Sequence, residues 1–299
     1  MKTREYKVTQ VLAHIICLLF SISALLPFIL MTIGSFTDDT WASLYGFTFF
    51  PGEWSLDAYR YIIMKWEVIG KAYLMTIIVT LIGTSVSLVL STLFAYGISK
   101  TGVKGMKVIS FLLIFTMLFN GGLVSTYYSY VRIWGIKDTI WALIVPGHLM
   151  NAFNVVLLRN YFTNSIPASL EEAAKIDGAS IFKSFLSVVL PLSKPILATV
   201  GLMTGLGYWN DWQNGLYYLS ARNGSQYYTI QIILNNINEN VTALTQAITS
   251  NIGAVNAVKP PSVTIRMAIA VVGILPIVIA YPFFQRYFVK GITLGGVKE

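Results

Sequence analysis

From Ala72 the chain reads Ala72-Tyr73-Leu74-Met75-Thr76-Ile77-Ile78-Val79-Thr80-Leu81 and continues without Asp, Glu, Lys or Arg as far as Ser99, with Lys71 before it and Lys100 after it. A helix crossing about 30 Å of hydrocarbon at 1.5 Å per residue needs about 20 apolar residues, and this stretch supplies them with length to spare. Helices satisfy their own backbone hydrogen bonds, which lipid cannot do, so an apolar run of this length implies a membrane-spanning α-helix.

The same test applied outward finds five more segments. Spans are expected at about 11–36, 72–99, 107–130, 139–159, 192–211 and 265–287. The first follows Lys2, Arg4 and Lys7 and outruns any small-x-small cleavage site, so it reads as a retained span and not a signal peptide. The fifth is short, but Lys194 can snorkel to the interface and Trp209 and Trp212 suit a headgroup-level belt. Composition agrees: 55% of the 299 residues are hydrophobic, only 11% are charged and the mean hydropathy is +0.66. The fold class expected is therefore all-α and integral to the membrane, as one domain over 1–299 with outer loops at 37–71 and 212–264. No internal repeat or Pro/Ser-rich linker divides it.

Lys and Arg bias orients the spans, since they accumulate in cytoplasmic segments. With both termini inside, thirteen of the 21 Lys and Arg fall on the inner segments and eight on the longer outer loops. The net charge of +8 is thus a matter of topology. The basic residues form no stripe interleaved with aromatics, so nucleic acid is not an expected partner. Cys17 stands alone within the first span and can form no internal disulfide.

The inner segment 160–191 is too long for a simple connection and is patterned as two helices. Ser169-Leu170-Glu171-Glu172 has capping-box spacing, with Ser169 as N-cap and Glu172 reaching back. Ala173 and Ala174 keep one face small, Asp177-Gly178 offers a left-handed stop, and a helical pattern resumes from Ala179 to Val189 before Leu190-Pro191. By local spacing this is equally an amphipathic hairpin lying on the membrane surface.

The longer pattern Glu172-Ala173-Ala174, Asp177-Gly178-Ala179, Phe185 and Leu190-Pro191 resembles the EAA loop of binding-protein-dependent ABC importer permeases, placed before the penultimate span as in that family. Asn120-Gly121-Gly122, Asp138 to Gly147, Trp209-Asn210-Asp211-Trp212 and Phe284 to Gly291 resemble the MalG-type carbohydrate permeases, in the branch serving complex oligosaccharides and polysaccharide fragments. The resemblance implies a subunit that moves a carbohydrate into the cytoplasm by alternating access, in the bacterial cytoplasmic membrane. Its implied partners are a second, MalF-like permease, two ATPase subunits and an extracellular solute-binding protein. It implies that Glu171, Glu172, Ala173, Ala174, Asp177, Gly178 and Ala179 couple to the ATPases, and that Arg286 and Lys290 to Glu299 touch them. A non-sugar cargo remains compatible with the loop, which reports on the motor.

Sugars are held by aromatic faces and by amide or carboxylate hydrogen bonds. Asn120, Tyr127, Tyr128, Asn151, Asn154, Trp209, Asn210 and Asp211, within or at the outer ends of spans three to five, are the candidate pathway residues. The competing reading makes Tyr and Trp interfacial anchors and Asn an interhelical bridge. The outer loop, with Tyr217, Tyr218, Tyr227, Tyr228, Asn235 and Asn236, suits contact with a soluble protein.

No GxxxxGK[ST] stretch occurs, so the chain is expected to bind no cofactor of its own, with ATP and Mg used by the partner ATPases and no catalytic residue here. His14 and His148 are far apart without HExxH or Cys partners; each reads as a buried helix residue, and no metal is expected. An ion-coupled secondary transporter would carry acidic residues in mid-span, where this chain has none.

Overall fold

The computed structural model describes residues 4–100, 103–237, 239 and 263–296. Among these the chain is helical, with no strand and a single isolated antiparallel bridge between Thr37 and Trp54. Two compact units are present, Met1–Ile69 with Leu234–Leu275, and Gly70–Ile233 with Pro276–Glu299.

In the first unit, α1 (Arg4–Ser35) is apolar on every side and exposes Leu18, Leu19 and Phe20, as a helix facing lipid does. It continues through Pro27, and the Ser21 and Thr32 hydroxyls donate back to the carbonyls of Cys17 and Phe28. Hydroxyls satisfied within their own helix are at home in hydrocarbon. Both Cys17 and His14 lie on exposed faces of α1, so the expectation of a buried His14 is corrected. Beyond it, α2 (Asp39–Tyr45) is capped by Asp38, whose carboxylate accepts from the backbone N–H of Thr40 and Trp41. The next helix, α3 (Asp57–Met64), holds Tyr59 against Ser35, hydroxyl to hydroxyl at 2.7 Å.

α4 (Trp66–Ser99) carries the stretch quoted first, uninterrupted. With α1 and the segment Val263–Phe283 of the last helix, it is one of three helices among the described residues long and apolar enough to cross a membrane. Two further candidates are bent.

The expected third span is one of these. α5 (Met106–Leu118) and α6 (Gly122–Tyr128), the latter running into a π segment to Ile133, meet at 119°. Phe119 is extended, Gly122 has φ +82°, and the Asn120 side-chain oxygen accepts the Gly122 N–H at 2.9 Å. A local side-chain turn thus replaces the helix ladder. The stretch expected to span over 107–130 is thus two helices joined at a break.

The expected fourth span also breaks. α7 (Trp141–Ile144) stops before Pro146 and Gly147, the latter at φ +75°, and α8 (Ala152–Asn164) starts afresh with Asn151 as its N-cap. α8 is about 20 Å long at 1.5 Å per residue, short of the hydrocarbon thickness. It also runs past 159 into the segment expected to be loop.

Past the hairpin described below lies α12 (Lys194–Trp209), bent by 79° from the helical turns before it. α13 (Gln213–Tyr218) and α14 (230–237) follow, and α15 (Val263–Gly296) contains Pro276 and Pro282. Much of the outer loop (238 and 240–262) and the C-terminal 297–299 lie outside the described residues. The core of the second unit has two parts. One gathers Tyr96, Leu158, Phe162, Phe185, Val189 and Ile196; the other gathers Val79, Leu143, Ile144, Tyr208, Tyr218 and Ile232. The two candidate sites lie beside them.

Candidate functional site

The hairpin opens with α9 (Ala168–Ile176), and its start differs from the expected capping box. Pro167 occupies the N-cap at φ −62° and ψ 126°, and no side chain caps the helix. Proline has its φ preset and no N–H to satisfy, so it nucleates the helix two residues early and leaves Ser169 inside the first turn. Ser169 is therefore not the cap, and Glu172 has no cap N–H to reach.

The C-terminal end is as expected. Gly178 sits at φ +81°, the Ala179 N–H bonds to the Ala174 carbonyl at 2.9 Å and the Gly178 N–H to the Lys175 carbonyl at 3.1 Å. These are the paired 6→1 and 5→2 bonds of a Schellman turn. Ser180 then caps α10 (Ile181–Ser184), accepting the Lys183 N–H at 3.2 Å, and a π segment Phe185–Val189 leads to α11 (Leu190–Leu192).

The two faces of the hairpin have different chemistry. Phe185 and Val189 are buried at 3% and 0%. Glu172, Ala173, Asp177 and Gly178 are exposed, Ala174 and Ala179 are half-buried, and Ile176, Ile181 and Phe182 are 86%, 75% and 61% exposed. So much apolar surface around a carboxylate on a segment outside the long apolar helices is the mark of a protein-binding face. Glu171 points elsewhere: its carboxylate accepts from the Tyr96 hydroxyl at 3.0 Å and pairs with the Lys100 ammonium.

The second site surrounds the break at Pro146–Gly147. Asp211 is nearly buried, its side chain 8% exposed. It accepts from Asn214 twice, backbone N–H at 3.1 Å and side-chain amide at 2.6 Å, and lies 3.6 Å from His148 Nε2. The Asn214 amide also donates to the Pro146 carbonyl at 2.9 Å, and Ser87 donates to that of His148 at 3.1 Å. His148 is half-buried in an irregular turn and packs on Tyr208 with ring centroids 5.1 Å apart, correcting the expectation of a helix residue. The buried Tyr208 hydroxyl donates to the Ile144 carbonyl at 2.8 Å, and its ring presses on Gly83, where a Cβ would stand 2.6 Å from it. Asp138, at φ 57°, accepts from the backbone N–H and the hydroxyl of Ser220, fastening the segment before α7 to the one after α13.

Aromatic faces complete this site. Tyr127 stacks on Tyr218 at 5.8 Å and 9°, and Tyr130 stands edge-on to Tyr218 at 5.9 Å. Burial, then the neighbouring Tyr130 and Tyr127, push the Tyr218 phenol above its ordinary value, so it stays neutral. Trp209 is buried with its ring edge-on to Tyr73 at 6.2 Å. A groove of 310 Å³ runs past it, lined by Thr80, Thr84, Gly201, Gly205, Pro276 and Ala280 among others.

Of the expected pathway residues, Tyr127 and Asp211 fall in or beside this cluster, and Trp209 adjoins it. Tyr128 is 60% exposed and Asn210 exposed. Asn154 donates to Thr204 between α8 and α12 at 3.2 Å, while Asn120 and Asn151 close turns in their own backbone. Sequence reasoning missed His148, Asn214, Asp138 and the Lys100–Tyr96 pair. Only Lys100, four residues past Tyr96 at the end of a charge-free run, carried a readable signal.

An all-helical chain with long apolar helices, broken helices and an exposed two-helix hairpin is a membrane transport component. It belongs to the family of binding-protein-dependent transport system inner membrane components, whose model matches residues 64–294. Across 298 residues, the full length of both chains, it is 41% identical to the polygalacturonan/rhamnogalacturonan transport system permease protein YtcP of Bacillus subtilis strain 168. With Protein LplC of the same strain it shares 37% over 274 residues, 92% of this chain and 89% of that one. Among solved structures it superposes on a bacterial ABC transporter involved in the import of the acidic polysaccharide alginate, with TM-score 0.78 and 30% identity, covering 96% of this chain and 99% of that one. The chain is thus a multi-pass permease subunit of the sugar-importing kind.

Proposed function

We propose that this chain is the transmembrane subunit of an ATP-driven importer that carries a polysaccharide fragment, of the acidic kind, across the bacterial cytoplasmic membrane. The observation that carries the reading is the hairpin, which turns Glu172, Ile176, Ile181 and Phe182 outward on a Schellman turn while Glu171 is held inward. A partner cleft would cover the apolar residues and pair a basic group with Glu172. Glu171 to Ala179 form the ATPase-coupling element, and ATP and Mg are used by two partner ATPases, the permease itself being non-catalytic.

In this reading the chain is one transmembrane domain of six crossings, the fourth made by α7 and α8 across the Pro146–Gly147 break. Both termini and the hairpin are cytoplasmic, and the cluster around Tyr127, Trp209, Asp211 and Tyr218 faces the solute's route. A second permease completes that route and an extracellular binding protein delivers the cargo. The acidic class is supported by two relatives: galacturonan is a polymer of a sugar acid, as alginate is.

The test is ATP hydrolysis by the purified assembly in lipid nanodiscs with its binding protein, across acidic and neutral oligosaccharides. Stimulation by acidic fragments is expected. Response to neutral sugars alone would overturn the cargo class, and response to a non-sugar solute or an ion gradient would overturn the carbohydrate reading.

A further inference from the structure

We infer that Glu171, Lys100 and Tyr96 form a clasp that passes movement of the hairpin into α4, and that α4 delivers it to the aromatic cluster around Tyr208 and Tyr218. The inference rests on the coupling role proposed for the hairpin and assigns its internal linkage.

Adjacent residues on a helix point about 100° apart, so Glu171 and Glu172 face different surroundings. Glu172 is exposed. Glu171 turns to α4, where the Tyr96 hydroxyl donates to it at 3.0 Å, the Lys100 ammonium pairs with it, and the Lys100 Nζ lies 4.2 Å above the Tyr96 ring. The ring itself meets Phe185 at 4.7 Å and Phe162 edge-on at 6.2 Å. One residue of α4 therefore touches the helix before the hairpin, the hairpin's first helix and its second arm. Lys100 and Glu171 keep 30% and 23% of their side chains exposed, so the pair is shielded from full solvent screening.

α4 suits the transmitting role because it alone among the described helices runs unbroken from the hairpin to the second site. It holds no proline. At 1.5 Å per residue, Tyr96 and Thr76 are about 30 Å apart along it. Along that length Ser87 donates to the His148 carbonyl and Gly83 seats the Tyr208 ring, and at the far end the Thr76 hydroxyl accepts the Ile230 N–H at 3.0 Å and Tyr73 meets Trp209. The alternative route through α12 passes a 79° bend at Ser193, where a push along the axis is absorbed, and α8 ends at the Asn151 cap beside the Pro146–Gly147 break. A stiff element with discrete contacts at both ends is what carries coupling between separated sites.

The experiment measures solute taken up per ATP hydrolysed by the complete transporter in proteoliposomes, for Glu171→Gln, Tyr96→Phe, Lys100→Glu, Glu171→Lys and the double exchange Lys100→Glu with Glu171→Lys. Co-purification of the ATPases is scored for each. Tyr96→Phe keeps the ring and its packing, so it removes the hydroxyl without threatening the fold. The expected result is retained ATPase binding, a fall of about fivefold or more in uptake per ATP for each single variant, and recovery toward wild type in the double exchange. Wild-type ratios in Tyr96→Phe and Glu171→Gln, or no recovery in the exchange, would overturn the clasp. Loss of the ATPases from the Glu171 variants but not from Lys100→Glu would assign Glu171 to the ATPase, overturning the clasp while the coupling role stands. If Glu172→Lys also left uptake per ATP unchanged, the coupling role itself would fail.

Discussion

Gly178 separates the backbone requirement of the hairpin from its docking requirement. The residue is at φ +81°, and a Cβ built there meets no atom of the described residues within 4 Å beyond its two chain neighbours. Within the chain, then, any cost of substitution is conformational. An L-residue held in the left-handed region costs about 1–2 kcal/mol, and Asn, which tolerates that region, costs less. If nothing else touched Gly178, Gly178→Ala and Gly178→Trp would lose similar stability and Gly178→Asn would lose least. If the hairpin seats in a partner cleft, the order changes in the coupling assay only, because Trp must find room where the partner lies. We expect thermal stability of the purified complex to rank Asn above Ala and Trp together, and uptake per ATP to rank Ala and Asn above Trp by about tenfold or more, since a 1.4 kcal/mol clash is already a factor of ten. Equal coupling in the Ala and Trp variants would refute the docking argument.

Other substitutions probe the packing and the second site. Gly83→Ala, with a Cβ 2.6 Å from the Tyr208 ring, should lower the thermal midpoint by an amount equivalent to about 1–3 kcal/mol, whereas Gly97→Ala, with open space, should be silent. Asp211→Ala leaves the Asn214 amide and backbone donors unmatched in a nearly buried site and should cost about 1–3 kcal/mol, with Asp211→Asn milder; a thermal shift assay ranks them. Phe182→Ser removes exposed surface and should leave stability unchanged while reducing the ATPases retained on affinity purification.

The continuous helices were legible because length and the absence of charge are enough to specify a long apolar helix: α1, α4 and the first part of α15 cover the apolar runs. The hairpin was legible at Gly178, where only one backbone conformation suits the turn, and illegible at Ser169, because two start signals compete and Pro167 acts first in the chain. The breaks in the third and fourth stretches were hidden for a different reason. Asn120-Gly121-Gly122 and Pro146-Gly147 carry breaker residues, but a hydropathy count sums across them, and lipid-facing helices tolerate Gly and Pro well enough that their presence alone does not decide. What decides is whether other groups take up the backbone hydrogen bonds a break releases, and those partners lie far away in sequence: Ser87 for His148, Tyr208 for Ile144, Asn214 for Pro146.

That requirement also reassigns the polar residues of the second site. In water a broken helix is cheap, since solvent takes the freed carbonyls and amides; at membrane depth each unsatisfied group costs several kcal/mol. Here Asn120 and Asn151 close the turns at the two breaks, Tyr208 and Asn214 satisfy carbonyls on either side of Val145, and Asp211 fixes the orientation of Asn214. Of the amide and carboxylate groups that read as sugar-binding in sequence, Asn120, Asn151 and Asp211 thus help hold an irregular backbone in place, while Asn154 bridges α8 and α12 and Asn210 is exposed. If the chain carries a sugar as proposed, its aromatic contacts would fall to what that backbone presents, the exposed ring of Tyr128 and the half-buried Tyr127, which is backed by the buried Tyr218. Aromatic faces bind the C–H surface of a sugar ring with little demand on which hydroxyls it carries, so under the proposed function such a permease would tolerate variation among related fragments and leave the sharper choice of cargo to the binding protein proposed to deliver it.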